Sequence, residues 1–131
     1  MLAPLVRALI AAELPILEAH GLSMWGYAVL CALDESPVRT QAALAAAIGA
    51  DKSRIIPVLD ELADRALIRR TRDPSDRRVR LLEITEAGRA AKDAAQAAIQ
   101  RGEERRMQTL TPEDRRAFLR ALSQLASASG D

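Results

Sequence analysis

Little in this chain is equipped for covalent or metal chemistry. It has one cysteine, Cys31, and one histidine, His20. A single cysteine excludes an internal disulfide, and the two residues together fall short of the usual ligand count of a zinc site. No nucleophile stands at a suggestive spacing from a base, and neither an HExxH run nor a glycine-rich phosphate loop occurs, so no enzyme and no cofactor is expected. No apolar run approaches the roughly 20 residues that cross a bilayer. The N-terminal MLAPLVRALIAAELP lacks a basic leader and soon meets Glu13, unlike a signal peptide. These absences lead us to expect a cytoplasmic protein with no membrane partner. Aromatics are also scarce, being only Trp25, Tyr27 and Phe118.

Alanine is plentiful instead, at 26 of 131 residues. It favours helix and lets helices approach closely. With few bulky side chains, one copy buries limited apolar area, which points to stabilisation by a partner chain. The length suits one domain, residues 1–131.

The formal net charge is only +1, but it is uneven. Residues 1–40 sum to −2, 41–88 to +1 and 89–131 to +2. Within 65–80, seven arginines face only Asp73 and Asp76. Near-neutrality therefore hides a basic patch of the kind that nucleic acid attracts.

Periodicity and caps order the chain. Residues 2–19 read as a helix that Pro15 bends or interrupts and Gly21 ends. Ser23 caps a second helix over 24–35, ending near Ser36-Pro37. Val38 and Arg39 suit a very short strand. Thr40 caps a third helix, QAALAAAI, ending at Gly49, and Asp51 caps a fourth, KSRIIPVLDELADRAL. Ile55, Ile56, Leu59, Leu62 and Ala63 fall on one side of that helix. LIRRTRD and VRLLEIT flank the turn DPSD and predict a hairpin. Thr85 begins an alanine-rich helix to about Thr109. Thr111-Pro112-Glu113-Asp114 begins the last helix, whose apolar stripe is Phe118, Leu119, Leu122 and Leu125. Only SASGD at the end reads as disordered.

Two helices around Gly49, followed by an arginine-bearing hairpin, suggest a helix-turn-helix with a wing. The second helix of such a pair lays its N-terminal residues in the major groove of duplex DNA. Lys52, Ser53 and Arg54 are donor-rich residues suited to that position. Arg77 and Arg78 follow the hairpin turn, where a wing tip meets the minor groove, with Asp76 placed to hold an arginine. Arg69, Arg70, Arg72 and Arg80 lie on the flanking strands within reach of phosphates.

The run DELADRALIRRTRDPSDRRVRLLEITEAGR resembles the core signature of MarR-type winged-helix transcription regulators. The matching residues are Leu62, Ala66, Leu67, Ile68, Arg70, Asp73, Asp76, Arg77, Arg78, Ile84, Thr85 and Gly88. The resemblance implies a mainly α fold with a small β wing. Its winged-helix DNA-binding lobe would span about 23–85, with dimerisation helices at about 1–20 and 86–127. It further implies a homodimer on a palindromic operator, usually a repressor released by a small molecule or oxidant, with Arg78 in the minor groove positioned by Asp76. The sequence departs from the pattern at Ala66, where glycine is usual, and at Ile84, where leucine is. Pro57 inside the fourth helix removes one backbone hydrogen bond and bends the helix.

Other readings stay open. The same fold serves as a protein–protein module without DNA binding, favoured if Pro57 turns the helix out of reach. Cys31 is either a buried small hydrophobe or the thiol of a redox-sensing regulator. It does not match the peroxide-sensing cysteine of some relatives, which lies near the start of the first helix. His20, Trp25 and Tyr27 cluster near the junction of the first two helices, as core packing or as the lining of an effector pocket.

Overall fold

A computed structural model of the chain describes residues 2–36 and 39–129. The elements run α1 (Leu2–Ala19), α2 (Met24–Glu35), β1 (Arg39–Thr40), α3 (Gln41–Ile48), α4 (Lys52–Asp64), β2 (Ile68–Asp73), β3 (Asp76–Ile84), α5 (Glu86–Met107) and α6 (Pro112–Ser129). The three strands form an antiparallel sheet in the order β1-β3-β2. Val38 and Pro37, expected near the first strand, lie outside the described residues, as do Gly130 and Asp131. Two compact units are distinguished, residues 1–98 and 99–131.

In the first unit the helices start and stop where local chemistry directs. Ser23 Oγ accepts the Gly26 amide at 3.0 Å, and Thr40 Oγ1 accepts the Ala43 amide at 3.1 Å. Both bonds satisfy donors that a helix leaves over at its start. Asp51 holds the N-cap position of α4, but its carboxylate does not cap the helix as expected. It accepts the Ser53 hydroxyl at 3.0 Å instead, a nearer donor on the same turn.

Three helices end in the same paired arrangement. Gly21, Gly49 and Ala66 all have positive φ, at 71°, 68° and 58°. After each, the next amide reaches back five residues, from Leu22 to Leu17, Ala50 to Ala45 and Leu67 to Leu62. The positive-φ residue itself bonds three residues back. This is the Schellman closure, in which a left-handed residue turns the chain so that orphan carbonyls are used. At Ala66 it ends α4 at Asp64, so Arg65, Ala66 and Leu67 are not helical as their sequence suggested. An alanine thus takes the left-handed conformation without altering the turn, at a cost of about 1 kcal/mol for its Cβ.

Neither internal proline interrupts its helix: α1 runs through Pro15 and α4 through Pro57. Each removes a bond to the carbonyl four residues back, on Ala11 and Ser53, and both of those residues are exposed. Ser127–Ser129, expected to be disordered, continue α6.

The core of this unit joins Leu17 of α1, Leu30 and Leu33 of α2, Leu44 of α3, Leu59 and Leu62 of α4 and Leu82 of β3, each at most 2% exposed. Ile55 joins them, but Ile56 is 46% exposed. One helical step rotates a side chain by about 100°, which carries Ile56 off the stripe that Ile55, Leu59 and Leu62 define.

The chain's return from β3 is fixed by one close approach. A Cβ on Gly88 would collide with the Leu67 carbonyl oxygen and come within 2.9 Å of Ile84 Cγ1. Thr85 ties the same point down. Its hydroxyl donates to the Ala66 carbonyl at 2.7 Å and accepts the Gly88 amide at 3.0 Å, while its own amide donates to Leu67 at 3.1 Å.

In the second unit, Thr111 Oγ1 accepts the Asp114 amide at 3.1 Å and Pro112 opens α6. The Glu104 carboxylate accepts two bonds from Arg115, at 2.5 and 2.6 Å. Phe118, Leu119, Leu122 and Leu125 of α6 are between 38% and 56% exposed.

Two substitutions separate these effects. Gly88→Ala should destabilise by about 2–4 kcal/mol, because the backbone it would strike has no free direction to move. Ala66→Gly should stabilise by about 1 kcal/mol by removing left-handed strain. Urea unfolding followed by circular dichroism measures both.

Candidate nucleic-acid interface

Strand pairing decides where the arginines go. Across β2 and β3, Ile68 faces Ile84, Arg70 faces Leu82 and Arg72 faces Arg80. Directly opposed residues share a face, and side chains alternate along a strand. Arg70, Arg72 and Arg80 therefore continue outward on the face that at its base buries Ile68, Leu82 and Ile84, and beyond Arg72 and Arg80, where Arg77 and Arg78 lie, the ladder is irregular. That face lies beside α4, because Arg70 donates to Asp60 at 2.7 Å. Arg69 and Glu83 alternate onto the opposite face. There the Arg69 guanidinium lies 3.7 Å from Glu83.

The two-residue turn Pro74-Ser75 is tied by Asp73, whose Oδ1 accepts the Ser75 amide at 2.9 Å and the Ser75 hydroxyl at 2.7 Å. The hydroxyl bond, then the amide, holds the Asp73 carboxyl below its usual range. β3 begins at Asp76 rather than at Val79, so Arg77 and Arg78 are strand residues. Asp76 Oδ1 accepts the Arg78 amide at 3.1 Å and its Nε at 3.4 Å. The Arg78 side chain is 93% exposed. An exposed pair of this length restrains the guanidinium lightly and leaves it available to a stronger anion.

On α4, Lys52, Ser53 and Arg54 are all exposed at the N-terminal turn. Among the described residues Lys52, Arg54, Arg72, Arg77 and Arg80 have no ion pair, whereas Arg65, Arg69, Arg70 and Arg78 have one. Between residues 52 and 80 the cations with no ion pair among the described residues thus lie on the start of α4 and on the wing. Arg70, expected to reach a phosphate, is engaged by Asp60 and ties the wing to α4. The exposed Ile56 adds an apolar side chain to α4 of the kind that meets a thymine methyl.

The residues suggested for an effector pocket are placed differently from one another. His20 Nδ1 lies 2.9 Å from the Ile16 carbonyl oxygen at the end of α1. Trp25 and Tyr27 are both half-buried on α2, and two positions apart on a helix they do not face each other. Tyr27 meets Cys31 one turn on, and burial, then that contact, pushes its hydroxyl up to about 12. Burial likewise raises the half-buried Cys31 thiol, although the Tyr27 bond and Lys92 oppose the shift. A raised thiol pKa means little thiolate and a sluggish nucleophile.

Beside this pair lies a charge cluster that inspection of the sequence missed. Lys92 of α5 is 8% exposed and is held by Asp34 of α2 and, at 2.6 Å, by Asp93. Arg89 donates to the other Asp34 oxygen at 2.9 Å. The Lys92 ammonium is raised above its ordinary range by Asp34 first and Asp93 second, and the Asp34 carboxyl is lowered by Lys92 and then Arg89. Arg89, Lys92 and Gln96 do recur at helical spacing in the sequence, but nothing local announces a partner at Asp34.

A recognition helix beside a two-stranded arginine wing defines a winged helix-turn-helix protein. The MarR family model matches residues 22–79. Over 95% of this chain and 89% of its own length, the transcriptional repressor CouR, solved bound to a 23-mer DNA duplex, is 32% identical with a TM-score of 0.81. The PcaV regulator of Streptomyces coelicolor, solved with its natural ligand, is 27% identical with a TM-score of 0.71, over 95% of this chain and 91% of its own. The transcriptional repressor NicR of Pseudomonas putida is 32% identical over 99 residues, which is 76% of this chain and 63% of NicR. The chain belongs to the MarR family.

The charge cluster predicts an acid dependence. Because the folded-state pKa of Asp34 is lowered from 3.8, the folded chain binds fewer protons there than the unfolded chain. Its contribution is complete above that value and fades as pH falls through the folded pKa. Stability should therefore decline below about pH 4, and Asp34→Asn should flatten that decline while lowering stability at neutral pH. Thermal melts between about pH 2 and pH 7 test this.

Proposed function

We propose that this chain is a DNA-binding transcription regulator that acts as a homodimeric repressor on a palindromic operator. The carrying observation is the set of cations on the start of α4 and on the wing, with Lys52, Arg78 and Arg80 lining one cleft, on a chain whose total charge is near zero. Ser53 and Arg54, with Lys52, enter the major groove, and Arg78, oriented by Asp76, enters the adjacent minor groove. Arg72 and Arg77 contact phosphates, while Arg70 holds the wing against α4 through Asp60. The DNA-bound form of CouR supports this reading.

Pairing of two copies is supported by exposed apolar side chains on both terminal helices. Val6, Ile10 and Leu14 of α1 and Phe118, Leu119 and Leu122 of α6 are each 38–50% exposed. Soluble proteins seldom leave such stripes open, and two copies place two wings on half-sites about one DNA turn apart. Release by a small molecule fits the polar group of the half-buried Tyr27 and Cys31 and the buried Lys92, and the ligand-bound form of PcaV supports it.

Selection of bound sites from a random duplex pool should return a palindrome with half-sites about 10 base pairs apart. Arg78→Ala should weaken binding to that site by about 10-fold or more, a loss near 1–3 kcal/mol, and leave a dimer mass by light scattering. Unchanged affinity in a gel-shift titration removes the wing from the reading, and a monomer mass removes the dimer.

A further inference from the structure

Between α3, the start of α4 and β3 lies an open cleft of about 420 Å3, lined by Thr40, Gln41, Ala42, Lys52, Arg78 and Arg80. Three cations from two elements converge there, and among the described residues no carboxylate lines it, Arg78 being paired with Asp76 outside the cleft lining. Lys52 and Arg80 have no ion pair among the described residues. Arg80 also stands directly opposite Arg72 across the ladder. Opposed like charges on neighbouring strands destabilise a sheet, and an anion beside them reverses that effect. Thr40 spends its hydroxyl on the Ala43 amide, so the two amides ahead of it, on the cleft side of α3, have no helical acceptor.

The path of a duplex leads to the same place. Adjacent major and minor grooves are divided by a single sugar–phosphate strand. A protein with α4 in one groove and its wing in the next must straddle that strand, and this cleft is the space between the two. We propose that the cleft seats a backbone phosphate of the bound duplex, with Lys52 and Arg80 as its charged ligands. Lys52 is then a phosphate anchor rather than a base reader, and reading of base edges falls to Ser53 and Arg54. The assignment rests on the DNA-binding reading given above.

The test uses the full chain and random-sequence duplexes, with binding followed by fluorescence anisotropy over a range of salt concentrations. Each phosphate contact contributes about 0.9 to the slope of log affinity against log salt. Lys52→Gln should lower that slope by about 1 per bound subunit, Lys52→Arg should restore it, and sites selected by Lys52→Gln should keep the wild-type consensus. Arg80→Gln should lower the slope similarly while the free protein melts no earlier than wild type, because its repulsion with Arg72 is gone; a merely structural arginine would lower the melting temperature. An unchanged slope in both variants, or a consensus relaxed at one base pair by Lys52→Gln, overturns the phosphate assignment alone. Wild-type protein with no salt-dependent binding to duplex overturns the DNA-binding reading and the cleft with it.

Discussion

The contact between the Leu67 carbonyl and Gly88 governs how this chain presents itself. The polypeptide leaves α4 through the left-handed turn at Ala66, runs out along the wing and returns to within touching distance of its point of departure. Thr85 closes that loop by bonding to Ala66, Leu67 and Gly88 at once. Because both ends of the hairpin are pinned to one spot at the end of α4, the wing cannot pivot without breaking several backbone bonds. The direction of the arginine face follows from that closure, since strand register then leaves each side chain as far as Arg72 and Arg80 one face to occupy.

Charge on this molecule is distributed rather than accumulated. Of the six arginines between residues 69 and 80, three are matched by carboxylates at Glu83, Asp60 and Asp76, and among the described residues Arg72, Arg77 and Arg80 are not. The matched ones hold strands, helix and turn in place, and the unmatched ones create the field. Such a division keeps the surplus local, because exposed charges separated by more than about 10 Å are largely screened at moderate salt. Outside 65–80 the chain sums to −4, so the attraction for a polyanion is strongest at that segment.

Elements whose cause is local were legible in the sequence. Ser23, Thr40, Thr85 and Thr111 announced helix starts, Gly21 and Gly49 announced ends, and Asp73-Pro74-Ser75-Asp76 announced the hairpin. The end of α4 was not legible, because alanine carries no preference for the left-handed conformation that Ala66 adopts under the pull of the Thr85 and Leu67 bonds. Ile56 was misplaced for a related reason, as apolar character alone does not distinguish a core position from its neighbour one step round the helix. Long-range partners were hidden altogether. Asp34 meets Arg89 and Lys92 more than 50 positions away, and Asp60 meets Arg70, because tertiary packing brings them together. The cleft at Thr40, Lys52 and Arg80 was invisible for the same reason, since its lining comes from three separate segments.

The charge order along α4 limits how that helix can meet a duplex. Its first turn carries Lys52 and Arg54, and its second half carries Asp60, Glu61 and Asp64. Acidic residues near a helix C-terminus oppose the helix dipole, and the Arg70 and Arg65 pairs with Asp60 and Glu61 offset that cost. They also leave the far half of α4 unattractive to phosphate. A helix with this polarity, entering DNA as proposed above, would do so by its beginning and not along its length. Pro57 lies beyond that beginning, and the carbonyl it frees is on Ser53, at an exposed turn where solvent or a base-edge donor can occupy it. The proline therefore leaves the basic first turn of the helix intact, and Lys52 of that turn shares a cleft with Arg78 and Arg80 of the wing.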